Sequence, residues 1–352
     1  MIRRRTLLVA GVAFLWFAIA TALPAAAPIY TGWSEPVNLG PVVNSASTEQ
    51  GPALSGDGLS LYFYSGRSGG VGSDDIWVSQ RATLSAPWGA PVNLGPTINS
   101  TSRDYVPAFS SDGHWMYFAS DRPGGFGPRP PATPTADLYQ SYRANIHDDF
   151  GWQTPTNLGA GVNTAASENG NGYFDNGGHP QLFFGSDRIG PPGSADLYVS
   201  NLQTDGTWGP ATLIPELNST ATENRPSLRS DGLEIFFYSS RPGGVGGTDL
   251  WTATRASVDS VWSTPVNLGP TVNSTATELH PYLSADATTL VFASSRTGSI
   301  AGSTDIYVTT RAQIFPATKE QCKNGGWERF GIFDNQGDCV SYAATKGNNP
   351  PG

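Results

Sequence analysis

The chain is poor in cysteine and in charge, and it shows no sustained helical period. Its two cysteines, Cys322 and Cys339, lie in the last 31 of 352 residues. The bulk of the fold is therefore neither stapled by disulfides nor built on thiol chemistry. Charged residues make up only 14%, too few for a solvated disordered chain. Acids outnumber bases, 29 to 20, for a formal charge of −9. A nucleic-acid partner is excluded on that ground, because phosphate binding needs a basic surface. The four histidines (His114, His147, His179 and His280) have no metal-ligand spacing. The one long apolar run, near the N-terminus, is too short for a comfortable bilayer span, and no second one follows it.

What is present begins with that leader. Arg3, Arg4 and Arg5 precede an apolar stretch from Leu7 to Ile19, and Ala25, Ala26 and Ala27 follow. Residues 1–27 read as a signal peptide, with a loose twin-arginine start. Its removal takes three arginines and moves the formal charge from −9 to −12. The mature chain is then expected to be secreted, extracellular or periplasmic, with no membrane contact and no partner copy. In an exported protein, Cys322 and Cys339 read as one disulfide.

Gly 42, Pro 28 and 11% aromatics describe many short strands and many turns. The order behind them is a fivefold repeat. Trp recurs at 33, 88, 152, 208 and 262, in steps of 55, 64, 56 and 54 residues. Trp33-Ser-Glu-Pro-Val-Asn-Leu-Gly returns almost unchanged from Trp88 and from Trp262. An acid follows each time: Glu49, Asp104, Glu168, Glu223 and Glu278. Next comes an aromatic strand such as Leu61-Tyr-Phe-Tyr-Ser or Ile235-Phe-Phe-Tyr-Ser, then a Gly-rich turn. An Asp-led strand such as Asp249-Leu-Trp-Thr-Ala closes the unit. These β-branched and aromatic runs between turn residues are strand signals.

Four strands per unit at this period predict propeller blades. Pro52, Pro107, Pro226 and Pro281 fall on the acid-led strand, and Pro36, Pro91, Pro155 and Pro265 on the Trp strand. Proline cannot donate to a ladder, so these are the innermost and outermost strands. The first Trp strand has no blade before it, and the last Asp-led strand, near Asp305, has no Trp strand after it. The fold class is thus all-β: a five-bladed β-propeller over residues 28–311, closed by the N-terminal strand, with a small disulfide tail over 312–352. Blade three departs from the pattern at Asn171 and at Asp175-Asn176-Gly177-Gly178. Blade four is read to depart at Leu213, where other units carry Asn38, Asn93, Asn157 and Asn267. A Pro-rich insertion, Phe126 to Thr135, widens one turn of blade two.

Ser239-Ser240-Arg241-Pro242-Gly243-Gly244-Val245-Gly246, followed by Asp249-Leu250-Trp251, resembles the WD-like repeats of TolB-type propellers. The resemblance covers about residues 33–311. It implies a propeller that serves mainly as a binding platform.

Two sets of residues are candidates for chemistry. Arg67, Arg122, Arg188, Arg241 and Arg296 end the aromatic strands. Asp75, Asp137, Asp196, Asp249 and Asp305 begin the next ones, so a charge pair or an Asp-to-backbone bond is expected to fix each turn. The acids Glu49, Asp104, Glu168, Glu223 and Glu278 open the innermost strands and are expected to ring one mouth of the channel. Such a ring could hold Ca²⁺ through oxygen ligands, or lend an acid–base pair; no other cofactor is implied. Five equivalent acids fit a repeat feature better than catalysis, which needs two acids in unlike surroundings. Specificity is expected where the repeat varies: Arg103, Tyr105, Arg225 and His280, together with Gln50, Asn169, Asn224 and Leu279. Gly66-Arg67-Ser68-Gly69-Gly70 matches a nucleophile-elbow string, but no helix follows it. The expected function is a binding or scaffolding module for a protein, peptide or glycan at the channel face, not an enzyme. The alternative is a carbohydrate-active hydrolase using the mouth carboxylates.

Overall fold

The computed structural model describes residues 28–126, 135–189, 194–300 and 304–349. The leader and the centre of the Pro-rich insertion lie outside the described residues. Five four-stranded antiparallel sheets make five blades. Blade one is Glu49–Leu54, Ser60–Ser65, Asp75–Gln80 and Val92–Asn93, from the channel outwards. Blades two, three and four repeat this order from Asp104, Glu168 and Glu223. Blade five takes Glu278–Leu283, Thr289–Ser294 and Asp305–Thr310 from its own unit and Val37–Asn38 from the N-terminus. Val37 pairs with Val308 and Asn38 with Tyr307, so the ring closes as the repeat requires, with no open edge between first and last blades.

The outermost strands are shorter than the sequence suggests. Each spans two residues, and the signature Trp and Pro lie just ahead of it. The aromatic strands are buried along nearly their whole length. In Ser60–Ser65 every residue is buried, because a neighbouring blade covers each face of the sheet. Period-two alternation is absent for that reason. Phe63, Phe118, Phe184, Phe237 and Phe292 have no exposed surface, and each contributes about 1.5–3 kcal/mol of burial.

Each innermost strand breaks register once. In blade one the break lies between Gln50 and Ala53, and the other four blades repeat it. The residue two after the acid adopts a left-handed backbone: Gly51 (φ 59°), Val106 (φ 49°), Gly170 (φ 60°), Arg225 (φ 55°) and His280 (φ 53°). A bulge leaves one residue out of the ladder, which is where the channel proline, without a donor, is accommodated. Glycine adopts this conformation freely. Val106, Arg225 and His280 do so against their Cβ, a strain that concentrates at working sites.

Both departures from the repeat fall on blade three. Leu213 pairs with Tyr198 in that sheet, so the assignment of Leu213 to blade four is corrected: each unit's Trp strand completes the blade before it. Elsewhere the asparagine amide bonds the strand-leading aspartate, as Asn93 Nδ2 does to Asp75 at 2.9 Å. Asp196 has no such partner from Leu213, and burial beside Glu223 raises its pKa. Asn171 keeps the blade in place by donating to the Tyr117 carbonyl of blade two at 3.0 Å.

Cys322 and Cys339 form a disulfide with Cα atoms 5.6 Å apart. They pack with Phe330 and Phe333 under a helix, Gln336–Thr345, capped by Asn335. Ile29, from the N-terminal end of the described chain, packs against this core. Among the described residues no helix is long and apolar enough to cross a membrane.

Candidate functional site

The five acids are fully buried. In blade five, Glu278 accepts the Ser274 N–H at 2.9 Å, the Ser274 hydroxyl at 2.6 Å and the Ser294 hydroxyl at 2.8 Å. Arg296 completes the set at 3.1 Å. The same arginine donates to the Val272 carbonyl at 2.6 Å and lies over the Phe292 ring. Glu49–Arg67 (2.9 Å), Asp104–Arg122 (2.5 Å), Glu168–Arg188 (3.2 Å) and Glu223–Arg241 (3.0 Å) repeat the pair. The arginines thus pair with the innermost acids, not with the aspartates across the turn. Those aspartates hold the turn through backbone amides, as Asp249 does with Gly246 at 3.0 Å.

These clamps alter the expectation placed on Glu49, Asp104, Glu168, Glu223 and Glu278. Their oxygens face serines, threonine and arginine of their own blade and do not line the channel mouth. Among the described residues, no group of three or more His, Cys, Asp or Glu stands where it could hold a metal ion. The carboxylates therefore do not gather into a ring around one cation.

Behind the clamps, at the mouth, lies a cavity of about 360 Å³ walled by all five blades. Blade one supplies Gln50 and Tyr64, and blade two Arg103 and Tyr105. Blade three supplies Asn169 and Asp187, blade four Asn224 and Tyr238, and blade five Leu279 and His280. Seven of the eight expected variable residues are brought together here: Arg103, Tyr105 and His280, with Gln50, Asn169, Asn224 and Leu279. Arg225, the eighth, lies beneath them.

Arg225 crosses the channel from blade four. Its guanidinium donates to the carbonyls of Val106 (2.9 Å), Asn171 (3.1 Å), Pro52 (3.2 Å) and Pro107 (2.6 Å). These carbonyls belong to blades one, two and three, and the bulges turn them inward. The side chain has no exposed surface. Burial lowers its pKa to about 10, so it is charged at neutral pH. It lies sealed beneath the cavity, between it and the opposite mouth. There a smaller cavity of about 200 Å³ is lined by Leu54, Phe109, Phe174, Leu228 and Leu283, among others.

No protein-family model matches this chain, and no curated protein matches it in sequence. Solved structures do match. The α-L-arabinofuranosidase from Lactobacillus brevis superposes with a TM-score of 0.52 at 13% identity, over 77% of this chain and 91% of that one. The catalytic domain of the GH62 α-L-arabinofuranosidase of Coprinopsis cinerea gives 0.50 at 13% identity, over 82% and 98%. TolB from Acinetobacter baumannii gives 0.43 at 17% identity, over 77% and 56%. The chain shares a five-bladed propeller fold with the first two.

Within that fold the mouth has its own chemistry. Tyr64 and Tyr105 meet edge to face, with centroids 5.6 Å apart. His280 is held between Tyr64 (5.9 Å) and Tyr238 (5.3 Å). Burial raises the Tyr238 pKa to about 12 and raises those of Tyr64 and Tyr105 as well, so all three present neutral hydroxyls. Tyr64 donates to the Gln50 side-chain Oε1, and Asn224 donates to Asn169 at 2.6 Å. Gly185 makes room for that amide: a Cβ there would stand 2.3 Å from Asn224 Oδ1. Arg103 lies over Tyr105, 4.4 Å from its centroid, and pairs with Asp74 at 3.0 Å and Asp121 at 3.8 Å.

The sequence reading missed Tyr64, Tyr238 and Asp187. A signal was present. The residue before the strand-ending serine is Tyr64, Ala119, Gly185, Tyr238 or Ala293, and the one after it is Gly66, Asp121, Asp187, Ser240 or Ser295. These are variable positions inside a fixed motif.

Burial, reinforced by Arg225 and Arg103, lowers the His280 pKa to about 3. The unfolded imidazole binds its proton near pH 6.5. Below that pH the unfolded state takes up a proton that the folded state refuses, so His280 costs stability as pH falls from about 6.5 towards 3. His280→Gln should flatten the acid side of the stability curve. Urea midpoints at pH 7 and pH 4.5 check this, and an undiminished loss in the variant would contradict it.

Proposed function

We propose that this chain is an exported propeller that binds a glycan at the mouth above Arg225. One observation carries the reading: a concave site of about 360 Å³ in which three tyrosines and three side-chain amides converge. Aromatic walls with a few placed polar groups are the make-up of a small-ligand pocket, whereas protein partners dock on far larger surfaces. A glycan therefore fits better than a folded protein. The arabinofuranosidase activity of the similar structures is consistent with a sugar ligand. The repeat motif supports kinship with TolB-type propellers, and the leader and disulfide support export.

Hydrolysis is the second reading. The similar structures favour it, as does Asp187 in the wall, with Asp121 at the matching position of blade two. Against it, glycoside cleavage needs two carboxylates flanking the bond, and Asp187 is the one carboxylate among the described lining residues.

Calorimetry with neutral xylo-, arabino- and cello-oligosaccharides tests binding, and chromatography of the same mixtures tests cleavage. We expect saturable binding that weakens at least about tenfold, or 1.4 kcal/mol, in Tyr105→Ala or Tyr238→Ala, with the sugars recovered intact. Cleavage that is lost in Asp187→Asn would establish the second reading. No binding and no cleavage of any glycan would sink both.

A further inference from the structure

The cavity is electrically lopsided. Sealed beneath it lies a guanidinium with no carboxylate within ion-pairing distance among the described residues; four carbonyl dipoles alone hold Arg225. Its Nε has no partner. Buried charges are as a rule paired. Above it, on the blade-five side, stands His280. Its ring is buried and lines the cavity, and its Nδ1 has no partner. The charged groups that act on this ring are Arg225 and Arg103, both cations. The carboxylates lie on the other side: Asp187 on blade three, and Asp74 and Asp121 around Arg103. Arg103 is thus already matched, and Arg225 is not.

We propose that the ligand's sugar carries a carboxylate, a uronate, seated on the blade-four and blade-five side against His280 and over Arg225. This rests on the glycan reading. The anion takes an N–H from the imidazole, which is neutral and so supplies one donor and one acceptor. It also supplies the counter-charge that Arg225 lacks. The ring hydroxyls face the opposite wall, where Asp187, Gln50 and Asn169 accept from them. A ligand placed the other way round would set its carboxylate against Asp187.

The test is a matched pair: a xylo-oligosaccharide with a glucuronate branch, and the same molecule with that branch methyl-esterified, titrated into the full chain by calorimetry. The acid is expected to bind at least about tenfold more tightly than the ester. The ratio should shrink at high salt, because part of it is through-space attraction. In His280→Phe the ratio should fall towards one. The comparison of ligands needs no variant, so a misfolded mutant does not blunt it. Equal affinity for acid and ester, or tighter binding of the ester, overturns the uronate while leaving the glycan reading intact. Failure of both, together with failure of every neutral oligosaccharide above, overturns the glycan reading as well.

Discussion

Glu223→Leu should destabilise the propeller by about 3–5 kcal/mol, the cost of stripping a buried ion pair of one partner. The carboxylate holds the Ser219 N–H, the hydroxyls of Ser219 and Ser239, and Arg241. Without it the guanidinium, whose side chain is 11% exposed, loses its counter-charge and the serines lose their acceptor. Replacing both partners with apolar groups removes the unpaired charge, so Glu223→Leu with Arg241→Met should recover at least half of the loss. Urea unfolding of the single and double variants measures both. A single variant as stable as the parent would mean that the clamp adds nothing. It would also return Glu223 to the list of acids with work to do elsewhere.

Arg225→Met is the second large effect, and here two terms oppose. Methionine relieves the burial of an unpaired charge, a gain of several kcal/mol. It also strands the carbonyls of Pro52, Val106, Pro107 and Asn171 inside the ring, at about 1–3 kcal/mol each. Four acceptors outweigh one cation, and we expect a net loss of about 3 kcal/mol. At about 2–4 °C per kcal/mol for a large domain, the thermal midpoint falls by roughly 10 °C. Ligand binding should weaken with it, since the positive charge beneath the cavity is gone and the inner-strand carbonyls of three blades lose their common donor. An unchanged midpoint would show that water satisfies these carbonyls and that Arg225 does not hold the blades together.

The fold was legible because a propeller writes itself five times. Any one Trp-x-x-Pro-Val-Asn-Leu-Gly string is ambiguous, but the recurrence of the Trp unit set the blade count, and the orphan Trp33 strand set the closure. The prolines marked the inner strands correctly, for the bulge that turns the channel backbone inward is where a residue without an N–H does no harm. The site was legible only in part. Arg103, Tyr105 and His280 were found because they vary where the repeat is otherwise fixed. The acids misled for the opposite reason: a residue repeated in every blade answers to a need of every blade, here an arginine and two or three donors seeking an acceptor. Leu213 was placed one blade late because a unit of sequence is not a blade of structure. The role of Arg225 was out of reach, since its partners are main-chain carbonyls from three other blades and carry no side-chain signature.

The most direct test of the account is a crystal structure of the mature chain soaked with an oligosaccharide that binds in solution. The account predicts a sugar ring between Tyr64, Tyr105 and Tyr238, its deepest group beside His280 and above an undisturbed Arg225, with all five acid–arginine clamps closed. A sugar bound in the smaller cavity on the far side of Arg225, or one reached by an opened clamp with Glu223 or Glu278 turned towards it, would contradict that account.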